Sequence, residues 1–229
     1  MTPHADLRLA RLLQLASPAL PVGAYSYSQG LEAAVESGIV RDAAGAQRWI
    51  ADVLEFSIAC MEAPAFFRLA RAWAANDDAV VALWNARFLA GREAAELRAE
   101  TVQMGYSLRR LLTDIGVIAP AALLRLDRLF EPAFPTVFVF AVVQWAIAPR
   151  DALIAYLWSW LENQVMAALK AVPLGQTDGQ RMLFALGATL PGIAEAAELV
   201  EDEAIGSFAP GFALACSRHE TQYSRLFRS

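Results

Sequence analysis

Lysine is nearly absent from this chain: of 19 basic residues only Lys170 is not an arginine. With 24 acidic residues the net charge is −5, so there is no basic face of the kind a general nucleic-acid binder needs. Cysteine occurs only at Cys60 and Cys216, too few and too far apart for a disulfide framework. Histidine occurs only at His4 and His219, one at each end, which leaves little for imidazole general-base chemistry. No G-x-x-x-x-G-K-[ST] loop, G-x-S-x-G elbow or H-E-x-x-H pair is present, so the chain is read as a non-enzyme with no phosphate cradle of its own. Long apolar runs are also missing. The most apolar window, Thr136 to Ala148, spans 13 residues and contains Gln144, well short of the roughly 20 needed to cross a bilayer. The start, with His4, Asp6 and Arg8, does not resemble a secretory signal, so the expected setting is cytoplasmic, away from membranes.

What is abundant is apolar surface. Hydrophobic residues make up 57% of the chain, charged ones 19%, and the mean hydropathy is +0.36. Without a membrane span, that excess must lie in a large core or under partner proteins. No Ser/Gly/Pro-rich stretch interrupts residues 7–215, which predicts one domain over residues 1–229. Residues 1–6 and 217–229 are expected to be flexible extensions.

The apolar spacing is that of helices, and no βαβ alternation occurs. Leu9, Leu12, Leu13 and Ala16 form one face of a first helix, which Pro18 ends. The segment SPALPVGAY (Ser17 to Tyr25) must be irregular. Ser26 and Gln29 have capping-box spacing ahead of a second helix ending near Gly38. Asp42 is an N-cap for a stripe of Trp49, Ile50, Val53, Leu54 and Ile58, and Pro64 kinks that helix or starts the next. Leu97, Thr101, Met104, Gly105, Leu108 and Leu112 share one face of a later helix. VFVFAVV (Val137 to Val143) has strand propensity, but its helical neighbours favour a buried helix. The prediction is an all-α bundle of about ten helices.

Three groups carry possible chemistry. Cys216, His219 and Glu220 are of metal-ligand type, with the thiol and imidazole at i, i+3 spacing, but one turn supplies too few ligands for a complete site. Tyr25, Ser26, Tyr27, Ser28, Gln29 and Glu32 gather polar groups at a helix mouth, where part caps the helix and part suits hydrogen bonding to a partner. Glu32, if buried, needs a cation such as Arg98. The ending QYSRLFRS places Leu226 and Phe227 between Arg225 and Arg228 beside Tyr223, a composition suited to an interface that orders on binding.

The runs LLQLASPALPVGAYSYSQGLEAAVESGIV (Leu12 to Val40), KAVPLGQTDGQRML (Lys170 to Leu183) and SRHETQYSRLFRS (Ser217 to Ser229) closely resemble the UreF family of urease accessory proteins. The similarity covers essentially the whole chain, and the element with Arg98, Glu100, Met104 and Gly105 also fits. A minor departure is Tyr25, where many members have phenylalanine. The resemblance implies an all-α homodimer that bridges UreD (UreH in some organisms) and the GTPase UreG on apo-urease during nickel insertion. GTP would be bound by UreG, nickel handled within the complex, and no cofactor held tightly by this chain. It points to Tyr223, Arg225, Leu226, Phe227 and Arg228 as the UreD/UreH surface. It marks Pro21, Gly23, Tyr25, Ser28, Gly30 and Glu32, with Lys170, Pro173, Gly175, Gln176 and Gln180, as structural or facing UreG. Two alternatives stand beside this scaffold role. One is direct stimulation of the GTPase by Arg225 or Arg228 as an arginine finger. The other is a stand-alone nickel carrier using Cys216, His219 and Glu220.

Overall fold

The structure, a computed structural model, describes residues 3–229. Among them are ten helices of at least ten residues, two shorter ones and no strand. The longer helices are α1 (Pro3–Leu15), α3 (Ala43–Val53), α4 (Ala63–Ala74), α5 (Asp78–Ala90) and α6 (Ala95–Asp114). They continue with α8 (Phe134–Gln144), α9 (Pro149–Ala171), α10 (Gln176–Gly187), α11 (Leu190–Leu199) and α12 (Pro210–His219). The short ones are α2 (Leu31–Glu36) and α7 (Pro120–Leu123).

The VFVFAVV run is α8, and every residue from Phe134 to Val142 is buried. A helix apolar on all sides has to sit at the centre, and α4, α6 and α9 pack around it. Phe66, Phe134, Phe138 and Tyr156 form an aromatic cluster where three of these helices meet, with centroids 5.3–6.1 Å apart. The start of α8 is held by Asn85, whose Oδ1 accepts from the Ala133 amide (2.9 Å) and the Thr136 hydroxyl (2.8 Å). Gly105 lets α6 come this close: a Cβ there would lie 2.1 Å from the Pro132 carbonyl oxygen.

Several local expectations change. Asp42 caps α3 as predicted, accepting from the Gly45 amide at 2.7 Å. Ser26 and Gln29, however, form no capping box. Ser26 closes a 3-10 turn, Gly30 is the N-cap, and the Ser28 hydroxyl accepts from the Glu32 amide. Pro64 stands in the first turn of α4, as one of its two expected roles has it, but a π-helical stretch (Leu54–Glu62) joins α3 to α4 without a break in the helix. The first helix is rotated from its expected face: Leu12 and Leu15 are buried, while Leu9 and Leu13 face outward. Residues 3–6, expected to be flexible, belong to α1; residues 1–2 lie outside the described residues. Residues 217–219 belong to α12 and the chain after them is packed, with Phe227 and Ser229 buried.

The most apolar window of the sequence, Thr136 to Ala148, is too short to cross a membrane. The run Gln176–Leu199 does reach the length required, with a hydropathy of 1.3. It is divided at Ala188 and Thr189 into two helices, with α10 on α9 and α11 on α4 and α9.

Candidate functional site

The two polar segments that the sequence leaves apart meet along one seam. Gly23 (φ +83°) and Gly30 (φ +76°) turn the chain between α1 and α2, and Gln29 shares the left-handed region at φ +51°. The turn exposes its amides, and the C-terminal segment lies against them. The Ser28 amide and hydroxyl donate to the Ser229 carbonyl oxygen (2.6 and 2.7 Å), joined by the Gln29 amide (3.0 Å). The Arg228 amide donates back to the Ser26 carbonyl at 2.7 Å. This is main-chain pairing, which edge-to-edge peptide docking commonly uses.

Glu32 completes the seam from α2. Its carboxylate accepts from the Leu226 amide (2.7 Å) and the Phe227 amide (3.0 Å), and touches His219 Nε2 at 3.2 Å. His219 is fully buried, with its Nδ1 2.7 Å from Glu96, which also holds Arg225 at 2.5 Å. The side-chain partner of Glu32 is therefore the His219 imidazole. Arg98, the partner anticipated from sequence, pairs with Glu131 on the other side. A buried carboxylate accepting two backbone amides needs no arginine as well.

Behind the seam lies a polar network inside the bundle. Gln29 donates to Glu100 (2.7 Å) and accepts from the Trp160 indole (2.7 Å), while the Ser229 hydroxyl donates to the other Glu100 oxygen (2.9 Å). Deeper, Glu62 pairs with Arg92 (2.8 Å) and accepts from the Tyr156 hydroxyl (2.6 Å). Glu62, Arg92, Glu100, Tyr156 and Trp160 border a cavity of about 190 Å³. Burial pushes the Glu100 carboxyl up to about 7, with Glu62 adding to the rise. Burial likewise raises the Tyr156 phenol, helped by Glu62, and the Cys216 thiol, helped by Glu100.

These placements redistribute the expected site residues. Phe227 is buried beneath Lys170, whose ammonium lies 5.6 Å from the ring centroid. Ser28 and Glu32 are buried as anchors for the C-terminal segment, so neither faces outward. Pro21, Tyr25, Gln176 and Gln180 are exposed, as are Tyr223, Arg225, Leu226 and Arg228, with Gly23 half-buried. Tyr25 adjoins Ser26, whose carbonyl accepts from the Arg228 amide, and both Tyr25 and Tyr223 are exposed.

The metal candidates do not converge. Cys216 packs against Gly30, where a Cβ would meet its sulfur at 2.9 Å, and its raised thiol disfavours a thiolate. Both His219 nitrogens face carboxylates, and Glu220 accepts from the Ala95 amide at 2.8 Å. Among the described residues no group of three or more His, Cys, Asp or Glu side chains could hold a metal ion. Sequence reasoning missed Glu96, Glu62, Arg92 and Trp160, since nothing in their spacing marks them. Burial of a charged residue is a tertiary property.

The UreF family model matches residues 40–187. A urease accessory protein UreF from Azoarcus sp. (strain BH72) is 61% identical over 97% of this chain and 96% of its own length. One of the same name from Dechloromonas aromatica (strain RCB) is 59% identical over 97% and 98%. A bifunctional urease accessory protein UreEF from Bordetella bronchiseptica is 49% identical, matched along all of this chain and 54% of its own length.

Proposed function

The chain belongs to the UreF family of urease accessory proteins, and from that premise we propose that it scaffolds UreD/UreH and the GTPase UreG on apo-urease for nickel insertion. It does so as a single-domain cytoplasmic homodimer. The observation that carries this reading is the seam. Main-chain pairing to the Gln29 turn and to Glu32 fixes the C-terminal segment while Tyr223, Leu226 and Arg228 stay exposed, as does Tyr25 next to the paired turn. Exposed Tyr, Leu and Arg held on a rigid base make an economical docking surface, because little side-chain and loop entropy is lost when a partner binds. UreD/UreH is assigned to this face, and UreG to exposed Gln176 and Gln180 with Pro21. Nickel and GTP are cargo and ligand of the assembly and of UreG, with no cofactor held tightly by this chain. A relative fused as UreEF fits a protein that works inside such an assembly.

Co-purification with UreD/UreH and UreG tests the assignment. Tyr223→Ala with Leu226→Ala should abolish UreD/UreH capture while helix content and the GTPase rate of UreG stay unchanged. Undiminished capture would overturn the assignment. A fall in GTPase rate for Arg228→Ala alone would favour an arginine finger instead. Arg225 is the weaker finger candidate, since Glu96 already engages it.

A further inference from the structure

The cavity behind the seam is lined by more negative charge than positive. Among the described residues its charged groups are the carboxylates Glu62, Glu100 and Glu162 and the cations Arg92 and Lys170. Arg92 is committed to Glu62 at 2.8 Å, and the exposed Lys170 holds its ammonium 5.6 Å from the Phe227 ring centroid. Glu162 is half-buried, whereas Glu100 is buried with no cation at ion-pair distance among the described residues. We propose that this cavity binds a small organic ammonium ion, with its charged head on Glu100 and its apolar body among the aromatic walls.

Glu100 has capacity for such a head. A carboxylate offers about four lone pairs, and one hydrogen bond reaches each of its oxygens, from Gln29 Nε2 (2.7 Å) and the Ser229 hydroxyl (2.9 Å). Both donors are neutral, so they orient the group without cancelling its charge, and burial pushes it up to about 7. The walls specify the rest of the ligand. Phe88, Phe134, Tyr156 and Trp160 line the cavity with Leu97 and Met104, and aromatic faces attract a cation as well as an apolar body. The volume of about 190 Å³ exceeds the roughly 150 Å³ that holds a benzene ring, which leaves room for a ring and a short ammonium arm. A bare metal ion fits less well. Glu62 is already held by Arg92 and Tyr156, and among the described residues no group of three or more metal-ligand side chains gathers here. Pro18, Tyr25 and Met166 line the cavity and are exposed, which places its mouth between residues 17–25 and α9.

Benzylammonium chloride and benzyl alcohol, alike in shape and unlike in charge, separate the head from the body. Titrated calorimetrically into the full chain at pH 8, the ammonium should bind at least about tenfold more tightly than the alcohol. The Trp160 indole N–H, which donates to Gln29 beside Glu100, should shift in nitrogen-15 spectra on binding, while that of Trp145, outside the cavity, should not. In Glu100→Gln the two compounds should bind alike. No binding of the ammonium, equal affinities in the wild type, an unmoved Trp160 signal, or an undiminished preference in Glu100→Gln would each overturn the proposal. The first three are read on the wild type and hold should the variant fail to fold.

Discussion

Glu32 does what no neighbour can replace. It accepts two consecutive amides of the C-terminal segment and contacts the buried imidazole of His219. Hydrogen bonds to a charged acceptor contribute about 1.5–3 kcal/mol each. Glu32→Ala should therefore lower hydrogen-exchange protection at Leu226 and Phe227 by tenfold or more, equivalent to about 1.4 kcal/mol. Helices α4 and α8 should keep theirs, since no atom of Glu32 supports them. Gly105 is the corresponding position in the core. Alanine there improves helix propensity by about 1 kcal/mol, but its Cβ would fall against the Pro132 carbonyl, which is backbone and cannot rotate away. Gly105→Ala is expected to destabilise by about 1–3 kcal/mol net, read from urea denaturation.

At the scale of elements, α2 and α12 are joined through a glycine. Gly30 has φ +76°, and a Cβ would lie 2.9 Å from Cys216 Sγ and 3.1 Å from its amide nitrogen. Gly30→Ala combines backbone strain with a clash, so α12 should shift away and His219 should lose its carboxylate contacts. The expected result is loss of C-terminal protection and of UreD/UreH capture together; retention of both would show that α12 adapts. The π stretch Leu54–Glu62 shows a limit of periodicity arguments. The apolar stripe through Ile58 is consistent with an α-helix, yet the wider turn leaves Phe56 and Cys60 carbonyls to accept from Phe208 and Gly206. That choice depends on a partner loop about 150 residues away in sequence, beyond the reach of any local pattern.

At the scale of the whole molecule, the excess of apolar residues is only partly consumed by the core. Phe184 on α10 and Leu199 on α11 are more than three-quarters exposed. If Phe184 lies between the two copies of the proposed homodimer, Phe184→Asp should shift the mass measured by light scattering from dimer to monomer. An unchanged dimer would place the interface elsewhere. Stability should also depend on pH through Glu100. Its raised carboxyl means that stabilisation present at pH 6 is reduced by pH 8. Urea denaturation of the wild type should show a loss of about 1.4 kcal/mol across that interval, corresponding to about one unit of proton linkage. Glu100→Gln should lack it.

Much of this was determined by sequence alone. The 3.6-residue spacing, Asp42 as a cap, and the length and neighbours of the Val137–Val143 run sufficed for an all-helical bundle. Three ordered motifs sufficed for the family, because they cover nearly the whole chain. These are local or linear properties, readable wherever backbone geometry dictates residue type. The division of labour within the motifs was not readable. Ser28, Glu32 and Phe227 carry the same side-chain chemistry whether they meet a partner or one another. Only the fold, bringing residues 26–32 against residues 219–229, decided that they bind each other and leave Tyr25, Tyr223 and Leu226 outside. Burial and pairing across nearly two hundred residues of chain arise from packing, which no local pattern encodes.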